Sequence, residues 1–318
     1  MKLHCRISVY RGGIFWKECW KSVLENIDIF DGIYISVNKS DLQEEDIAII
    51  REVKSDKIHW ICQDRFLTAV EHGKRIDNWI KNFHLEGHIY MLCHDDILER
   101  KGLLELHSLK IRETDAVFCR ASFCFQGKRQ LPFLAGEVNG LPCVMPLERF
   151  LLIHDSVALN VSRLVLPAAL FNSGKVVPQL LKYGYWAELC YLCNPFTESI
   201  CTTSEPTVKI RLHDNSEGAI SYPSKLLFDS IVQRLQIFHR FNSGELAVKM
   251  AADCFYLIRK NFFPGTIYFF QAQMQLMKIG YFSPLSGIKM VACFIQAAVK
   301  RCVKVISSGL EHRKNPGE

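Results

Sequence analysis

The sequence lacks an apolar run long enough to cross a membrane. A spanning helix needs about 20 predominantly apolar residues, and the two most apolar stretches, residues 262–277 and 288–306, are both interrupted by polar side chains. The interruptions are Pro264, Gln271, Gln273 and Gln275 in the first stretch, and Lys289, Lys300, Arg301 and Lys304 in the second. We therefore expect no membrane-spanning helix.

Signals for secretion and for nucleic-acid binding are also missing. The N-terminus has no uninterrupted apolar segment of the signal-peptide kind, and the 13 cysteines are scattered through apolar stretches, which predicts reduced thiols and a cytoplasmic protein. Lys and Arg outnumber Asp and Glu by 39 to 33, a net charge of only +6 over 318 residues, and form no basic block. This balance predicts no nucleic-acid partner.

Three catalytic and nucleotide-binding signatures are absent. The sequence has neither GxGxxG nor GxxxxGK[ST], which removes the Rossmann dinucleotide and P-loop fingerprints. It also has no GxSxG elbow that would anchor a catalytic serine.

What is present is the composition of a folded globular protein, with 49% apolar and 23% charged residues. The N-terminal third alternates between short β-like runs and helical patterns. The predicted strands are residues 4–10, 32–37, 57–62 and 88–93, and the predicted helices are residues 15–26, 44–53 and 66–83. Strands that alternate with helices predict a parallel sheet with right-handed crossovers.

Ligands of such sheets bind beyond the carboxyl ends of the strands. Strands one, two and four are followed by residues 11–13 (Arg-Gly-Gly), 38–41 (Asn-Lys-Ser-Asp) and 94–96 (His-Asp-Asp). The last segment carries the strongest signal in the chain, because two adjacent carboxylates come directly after an apolar strand. A structural alternative stays open, since an Asp pair also caps a helix that begins near Ile97.

The remaining sequence predicts further elements and two domains. We predict a helix at 98–113, a strand at 116–125, a helix at 185–193, an edge strand at 208–212, and mostly helix from 224 with breaks at Pro264 and Pro284. Residues 130–149 hold three prolines and two glycines, which predicts a long loop on the side of the site. The inferred domains are residues 1–222, with the sheet, and residues 223–318, which are helical.

Five segments in residues 3–222 resemble, in the same order, motifs of one enzyme family. They are residues 7–11 (ISVYR), its first strand and turn; 19–24 (CWKSVL), its "CLxSLL" helix; 33–41 (IYISVNKSD), its "IVVDDGSTD"; 92–98 (LCHDDIL), its "LDADDIL"; and 211–216 (RLHDNS), its "YRxHxxS". The chain resembles the GT-A glycosyltransferases, specifically the large family 2 whose bacterial members build O-antigen and capsular polysaccharides.

The resemblance implies an α/β fold of the GT-A, Rossmann-like type: a mostly parallel central sheet with helices on both faces, followed by a helical C-terminal extension. It implies an inverting glycosyltransferase that moves a sugar from a nucleotide-diphospho-sugar, by preference a UDP-sugar, to a glycan or lipid-linked acceptor in surface-polysaccharide biosynthesis. A divalent metal, Mn²⁺ or Mg²⁺, would neutralise the leaving diphosphate.

The resemblance also implies roles for individual residues. Asp95 and Asp96 would hold the metal, with His213 as a third ligand or a hydrogen-bond donor to the diphosphate. Arg211 would balance phosphate charge. The implied donor-binding set is Tyr10, Arg11, Asn38, Asp95, Arg211 and His213.

An inverting transfer needs a base that takes the proton of the acceptor hydroxyl. Glu188 lies where the family often carries an acidic pair at the head of a helix, so the resemblance implies that it is the base. A first-turn Glu is also favoured by the helix dipole alone, and Glu137 and Asp155 are alternative bases. Tyr185 and Trp186 would give the acceptor sugar a stacking face.

The C-terminal tail has the pattern of a basic amphipathic helix. Residues 288–318 carry six Lys or Arg against two Glu, beside an apolar stripe that includes Phe294, Ile295 and Val305. Such a helix can lie on an anionic membrane, which suits a lipid-linked acceptor and predicts peripheral contact with the inner face of the cytoplasmic membrane. The alternative is a terminal helix packed on its own domain.

The chain departs from the family pattern at two places. Cys93 stands where the family has the first Asp of "DxDD", and residues 36–38 (Ser-Val-Asn) lack the Asp of the second strand. These departures support an alternative hypothesis, a catalytically inactive relative that scaffolds a polysaccharide-assembly complex. A nucleotidyltransferase acting on a sugar phosphate is a further alternative, because it would share the sheet and the metal.

Overall fold

A computed structural model describes residues 1–126, 144–153, 161–174, 191–213, 223–241, 244–260 and 262–278. The chain divides into two compact units, residues 1–223 and 224–318. The sheet belongs to the first unit. That this unit is a catalytic domain and the second a membrane-associating region stays a prediction.

Strands and helices alternate in the first half of the first unit. The elements in chain order are β1 (Leu3–Val9), α1 (Gly13–Glu25), β2 (Gly32–Val37), α2 (Gln43–Arg51), β3 (Ile58–Cys62), α3 (Ala69–Ile80), β4 (His88–Cys93), β5 (Ile97–Leu98) and α4 (Arg100–Ser108). The elements that follow are β6 (Asp115–Gln126), β7 (Val144–Pro146), α5 (Leu147–Ile153), β8 (Leu164–Pro167), α6 (Ala168–Ser173) and β9 (Ser199–His213).

The strands form one mixed sheet in the order β3-β2-β1-β4-β8-β6-β9-β5, with β7 paired to β9. The pairings among β1 to β4 are parallel, as predicted. Beyond β4 the sheet changes character, because β8 runs antiparallel to both β4 and β6 while β6 and β9 are parallel. The predicted α/β class is confirmed, and the description "mostly parallel" holds only for the N-terminal half.

The core lies against β2 and β1, whose residues are almost all buried. Burial on both faces is what an interior parallel strand requires, and it explains the uninterrupted apolar runs. Helix α1 covers one face with two tryptophans. The indole N–H groups of Trp16 and Trp20 donate to Asp46 O (3.0 Å) and Ile49 O (3.2 Å), which fixes α1 against α2.

Helix α3 begins at a capping box. Thr68 Oγ1 accepts from the Glu71 backbone N–H (3.3 Å), and the Glu71 carboxylate accepts from the Thr68 N–H (2.9 Å). This cap explains why the helix begins at Ala69 and not at residue 66, where the apolar pattern starts.

Three expectations were wrong in detail. Residues 208–212 belong to β9, which lies between β6 and β5 and is therefore not an edge strand. Within the predicted loop 130–149, residues 144–146 form β7 and 147–149 begin α5. The helix predicted at 98–113 is α4, which ends at Ser108.

The second unit contains the helices α7 (Pro223–Phe241), α8 (Gly244–Lys260) and α9 (Phe262–Lys278). Pro264 lies in the first turn of α9, where a missing N–H is tolerated. His239 Nε2 bonds Gln273 Oε1 (3.1 Å), which links α7 to α9. Among the helices that the structure describes, none has both the length and the apolar character that a bilayer crossing requires.

Candidate active site

The predicted acidic pair lies in a tight turn at the carboxyl end of β4. The turn comprises residues 93–96, and the Asp96 N–H donates to Cys93 O across it (3.3 Å). The ligand atoms of Cys93, Asp95 and Asp96, one sulfur and two carboxylate oxygens, all lie within 4.8 Å of one another. We call residues 93–96 the acidic turn.

Asp96 is buried at the base of this turn, and each of its carboxylate oxygens accepts one hydrogen bond. Its Oδ2 accepts from Ser162 Oγ (2.5 Å) and its Oδ1 from the Arg211 backbone N–H (3.0 Å). Burial raises the pKa of Asp96 to about 7, and the charge of Asp95 adds to the rise, while the bonds from Ser162 and Arg211 oppose it. Asp95 is half-buried, so it is the more accessible carboxylate of the pair.

Arg211 supports the acidic turn from β9. Its buried guanidinium donates to the Asp95 carbonyl oxygen, to the Glu18 carboxylate and to Phe15 O (2.7 Å), and it lies over the Phe15 ring at 4.8 Å. The structure therefore places Arg211 beside the acidic pair, where its donors are engaged by the protein. A positioning role fits this geometry better than direct contact with phosphate.

Ser162 contacts the acidic turn and was missed by the sequence analysis. Besides donating to Asp96, its Oγ accepts from the Cys93 backbone N–H (2.8 Å). It lies in a short 3₁₀ helix before β8, and it reaches the turn because β8 pairs with β4. A lone serine before an apolar run carries no local signal for such a contact.

The residues predicted to bind the donor follow β1 and β2. Tyr10 is 40% exposed and its ring contacts Phe66, which is 55% exposed, at a centroid distance of 5.6 Å. Arg11 pairs with Asp41 (2.9 Å) on the surface. Asn38 is buried: its Nδ2 donates to Leu67 O (2.7 Å) and its Oδ1 accepts from the Leu67 N–H (3.0 Å). Asn38 thus holds the loop that carries Phe66.

The first turn of α1 already holds an anion. The N–H groups of Gly12 and Gly13 donate to the two carboxylate oxygens of Asp46 (3.1 and 3.0 Å). Burial raises the pKa of Asp46, and these two donors partly offset the rise. The sequence made these two glycines candidates for phosphate binding. In the structure their N–H groups donate to the buried Asp46 side chain instead.

A buried polar layer lies between the sheet and α3. His72 Nε2 bonds Ser36 Oγ (2.8 Å), which also accepts from Gln63 Nε2 (2.9 Å). Deeper in the same layer, Arg6 Nε pairs with Asp77 (2.8 Å). This layer lies beneath the strand ends that carry the predicted donor residues.

Several predicted residues lie outside the described part of the chain. These are the base Glu188, its alternatives Glu137 and Asp155, and the acceptor residues Tyr185 and Trp186. For His213 the structure describes the backbone, which pairs with Gln126 at the end of β9. Their roles stay predictions.

The donor set of the acidic turn fits a divalent cation. Two carboxylates supply hard oxygen ligands, and phosphate oxygens of a substrate can complete the shell of such an ion. The thiol of Cys93 adds a softer ligand to the same cluster.

Comparison with known proteins shows the fold. No protein-family model and no curated protein sequence matches the chain. The structure of S. aureus TarS 1–349 in complex with UDP-GlcNAc is similar with a TM-score of 0.60 and 11% identity, over 93% of this chain and 90% of that chain. The structure of the same fragment in complex with UDP is similar with a TM-score of 0.55 and 10% identity, over 93% of this chain and 90% of that chain. A structure of a longer S. aureus TarS chain is similar with a TM-score of 0.54 and 12% identity. This match covers 83% of our chain and 44% of the longer TarS chain. The chain therefore has the GT-A fold of these glycosyltransferase structures.

Proposed function

We propose that the protein is a glycosyltransferase that takes a sugar from a nucleotide-diphospho-sugar. The observation that carries this proposal is the acidic turn at the carboxyl end of β4 in a GT-A sheet, where three metal-ligating side chains converge. The likeness to TarS with UDP-GlcNAc supports a nucleotide-sugar donor.

The acidic turn fits the metal that such a transfer uses. Asp95, Asp96 and Cys93 would hold a divalent ion, whose positive charge stabilises the leaving diphosphate when it is bound. Ser162 and Arg211 keep the turn in place, because they bond Asp96 from one side and the Asp95 carbonyl from the other. On the family resemblance, His213 remains the proposed third metal ligand or a hydrogen-bond donor to the diphosphate.

The proposed reaction is an inverting displacement. The acceptor oxygen forms a bond to the anomeric carbon while the bond from that carbon to the diphosphate oxygen breaks, and the acceptor proton passes to a carboxylate base. We assign the base to Glu188 and the acceptor-stacking face to Tyr185 and Trp186, on the family resemblance. The products are the glycosylated acceptor and a nucleoside diphosphate.

The proposed donor is a UDP-sugar that lies across the ends of β1 and β2. The exposed rings of Tyr10 and Phe66 offer a flat apolar contact for a base, and Arg11 offers a charge beside them. Asn38 contributes by holding Leu67, and with it the loop that presents Phe66.

The proposed acceptor is a glycan or lipid-linked saccharide of a surface polysaccharide such as an O-antigen or capsule. The protein would then act in the cytoplasm, with the basic tail of residues 288–318 in peripheral contact with the membrane. This part of the proposal rests on the family resemblance and on the charge pattern of the tail.

The structure gives less support to a nucleotidyltransferase. Such an enzyme would bind phosphates at a basic, glycine-rich first turn, and here Gly12 and Gly13 donate to Asp46 instead. The inactive-relative alternative keeps its argument from Cys93, and the assay below tests it.

The test is an assay of the full chain with a panel of nucleotide-sugars and added Mn²⁺ or Mg²⁺. Metal-dependent release of UDP without pyrophosphate supports the proposal; release of pyrophosphate indicates a nucleotidyltransferase, and inactivity with every common donor indicates an inactive relative. Asp95→Asn should abolish the UDP release, because it removes the accessible carboxylate of the pair. Asp56→Asn changes an exposed carboxylate far along the chain from the site and should leave it unchanged.

A further inference from the structure

Cys93 lies in the acidic turn at a distance that suits a ligand of the same ion as the two aspartates. Its sulfur and the carboxylate oxygens of Asp95 and Asp96 are mutually within 4.8 Å. Ligand distances of about 2.0–2.6 Å place two donors of one ion no more than about 5 Å apart. The spacing of the three atoms is therefore compatible with their binding one ion.

The backbone of Cys93 is hydrogen bonded on both sides, which fixes the position of its Cα in the turn. Its N–H donates to Ser162 Oγ (2.8 Å), and its carbonyl oxygen accepts from the Asp96 N–H (3.3 Å) and from Cys19 Sγ (3.6 Å). Ser162 in turn bonds Asp96 (2.5 Å). One serine thus holds the sulfur-bearing residue and a carboxylate in register.

We propose that Cys93 Sγ is a direct ligand of the metal in the acidic turn, and that the site consequently prefers thiophilic ions such as Zn²⁺ and Cd²⁺, and Mn²⁺ over Mg²⁺. The inference rests on the proposed function for the role of the metal, but metal binding is measured without substrate. Thiolate is a soft ligand that selects against Mg²⁺, whereas an oxygen-only site accepts it. Binding forms a metal–sulfur bond and releases the thiol proton to solvent.

The experiment titrates the full chain with Cd²⁺ alone and follows the ultraviolet sulfur-to-metal charge-transfer absorption, together with thermal stabilisation by Cd²⁺, Mn²⁺ and Mg²⁺. Cys62→Ser is the matched control, because Cys62 is exposed at the end of β3. The control should keep the absorption that Cys93 produces. Cys93→Ser should lose that absorption and weaken Cd²⁺ binding at least about tenfold, while the small stabilisation by Mg²⁺ stays.

A second variant, Cys93→Asp, replaces the sulfur with a carboxylate. It should also lose the Cd²⁺ absorption and should bind Mg²⁺ more tightly than the natural chain, which reverses the preference between the two ions. A Cys93→Ser protein that keeps both the absorption and the Cd²⁺ affinity would overturn the inference, as would a Cys93→Asp protein with an unchanged preference.

Failure of the proposed function is distinguishable from failure of this inference. If the chain binds Cd²⁺ through Cys93 but no nucleotide-sugar stabilises it, the metal-ligand inference is supported and the proposed donor is wrong. If a UDP-sugar with Mg²⁺ stabilises the chain but no Cys93-dependent absorption appears, the proposed donor is supported and the metal-ligand inference is wrong.

Discussion

Ser162 contacts more of the candidate site than any other single hydroxyl described above. Its Oγ bonds Asp96 and the Cys93 N–H, and its carbonyl oxygen accepts from Tyr90 OH (2.8 Å) in the interior of the sheet. Ser162 is fully buried, so these bonds are made in the interior of the protein. The site geometry therefore depends on one small polar side chain.

Ser162→Ala should destabilise the protein and impair the site together. It leaves a buried carboxylate oxygen and a backbone N–H without a partner, which costs about 1–3 kcal/mol in the free energy of unfolding. Urea unfolding measures this loss, and the UDP-release assay should show reduced turnover. Ser108→Ala, which removes an exposed bond to Glu105 O, should change stability by no more than about 0.5 kcal/mol; equal effects of the two variants would contradict the role of Ser162.

His72 is a buried titratable group outside the acidic turn. Burial is the main cause that lowers the pKa of His72 from 6.5 to about 4, and the nearby charge of Arg6 contributes to the same shift. The folded protein therefore keeps this imidazole neutral at pH values where the unfolded chain protonates it. Stability from His72 is complete above pH 6.5 and is lost as the pH falls from 6.5 towards 4.

We expect the natural chain to lose on the order of 2 kcal/mol of unfolding free energy from His72 between pH 7 and pH 5. His72→Gln cannot titrate and keeps a hydrogen-bonding group for Ser36, so its stability should fall less steeply over this range. Unfolding curves at several pH values measure the slope. His239→Gln makes the same comparison in the second unit, because burial lowers the pKa of His239 to about 4 as well. An unchanged slope for His72→Gln would show that His72 is protonated in the folded protein.

At the scale of elements, the crossing of α4 over β9 positions the strand that carries Arg211. A Cβ added at Gly102 would lie 2.0 Å from Pro206 O, so only a glycine allows this approach. The Glu105 carboxylate then accepts from the N–H groups of Ser204 and Glu205 (3.0 and 2.8 Å). These contacts between α4 and β9 fix the position of the strand that carries Arg211, the partner of the acidic turn.

Gly102→Ala should therefore destabilise the protein by roughly 1–3 kcal/mol or more, because the backbone of β9 must move. Gly73→Ala is the control within another helix: its added Cβ would lie 3.5 Å from the Arg6 guanidinium, an ordinary contact. That variant should be neutral or more stable by about 0.5–1 kcal/mol. Thermal unfolding compares the two, and a tolerated alanine at 102 would mean that α4 and β9 are farther apart.

At the scale of the whole molecule, the sequence predicted best where the signal is local. The bounds of β2 and β4 were predicted to the residue, since each is a short apolar run between turn residues. The β6–β9 pairing joins residues more than 80 positions apart, such as Asp115 and Ser199. No pattern within either strand encodes that pairing, so β9 was mistaken for an edge.

In the candidate site, too, the sequence predicted the residues whose position depends on local sequence and missed those that depend on distant contacts. Asp95 and Asp96 follow a strand directly, and their position at its end depends on local sequence alone. Ser162 and Asp46 reach their partners through packing between distant elements, and neither was found. Arg211 was predicted to balance phosphate charge, but only the structure shows that Glu18 and Phe15 engage its guanidinium.

The proposed membrane contact predicts binding to anionic vesicles that weakens as salt increases. Each basic residue near an anionic surface contributes about 1 kcal/mol, so replacing three with glutamine should reduce partitioning about a hundredfold. The replaced residues are Lys300, Arg301 and Lys304. Vesicle co-sedimentation with and without anionic lipid measures the effect.

The control for this experiment removes the same charge from the first unit. Glutamine replaces three lysines that are exposed there, Lys17, Lys54 and Lys110. This variant should bind vesicles almost as well as the natural chain. Equal losses in both variants would indicate a general charge effect and not a membrane-binding tail.

The carboxylate of Asp46 at the start of α1 has a consequence for inhibition by small anions. Sulfate or free pyrophosphate arriving at that helix end would have to displace a covalently tethered competitor that already has both of its oxygens bonded. Such anions should therefore compete with the donor only where a divalent ion binds them, and without that ion they should not raise the thermal stability of the chain.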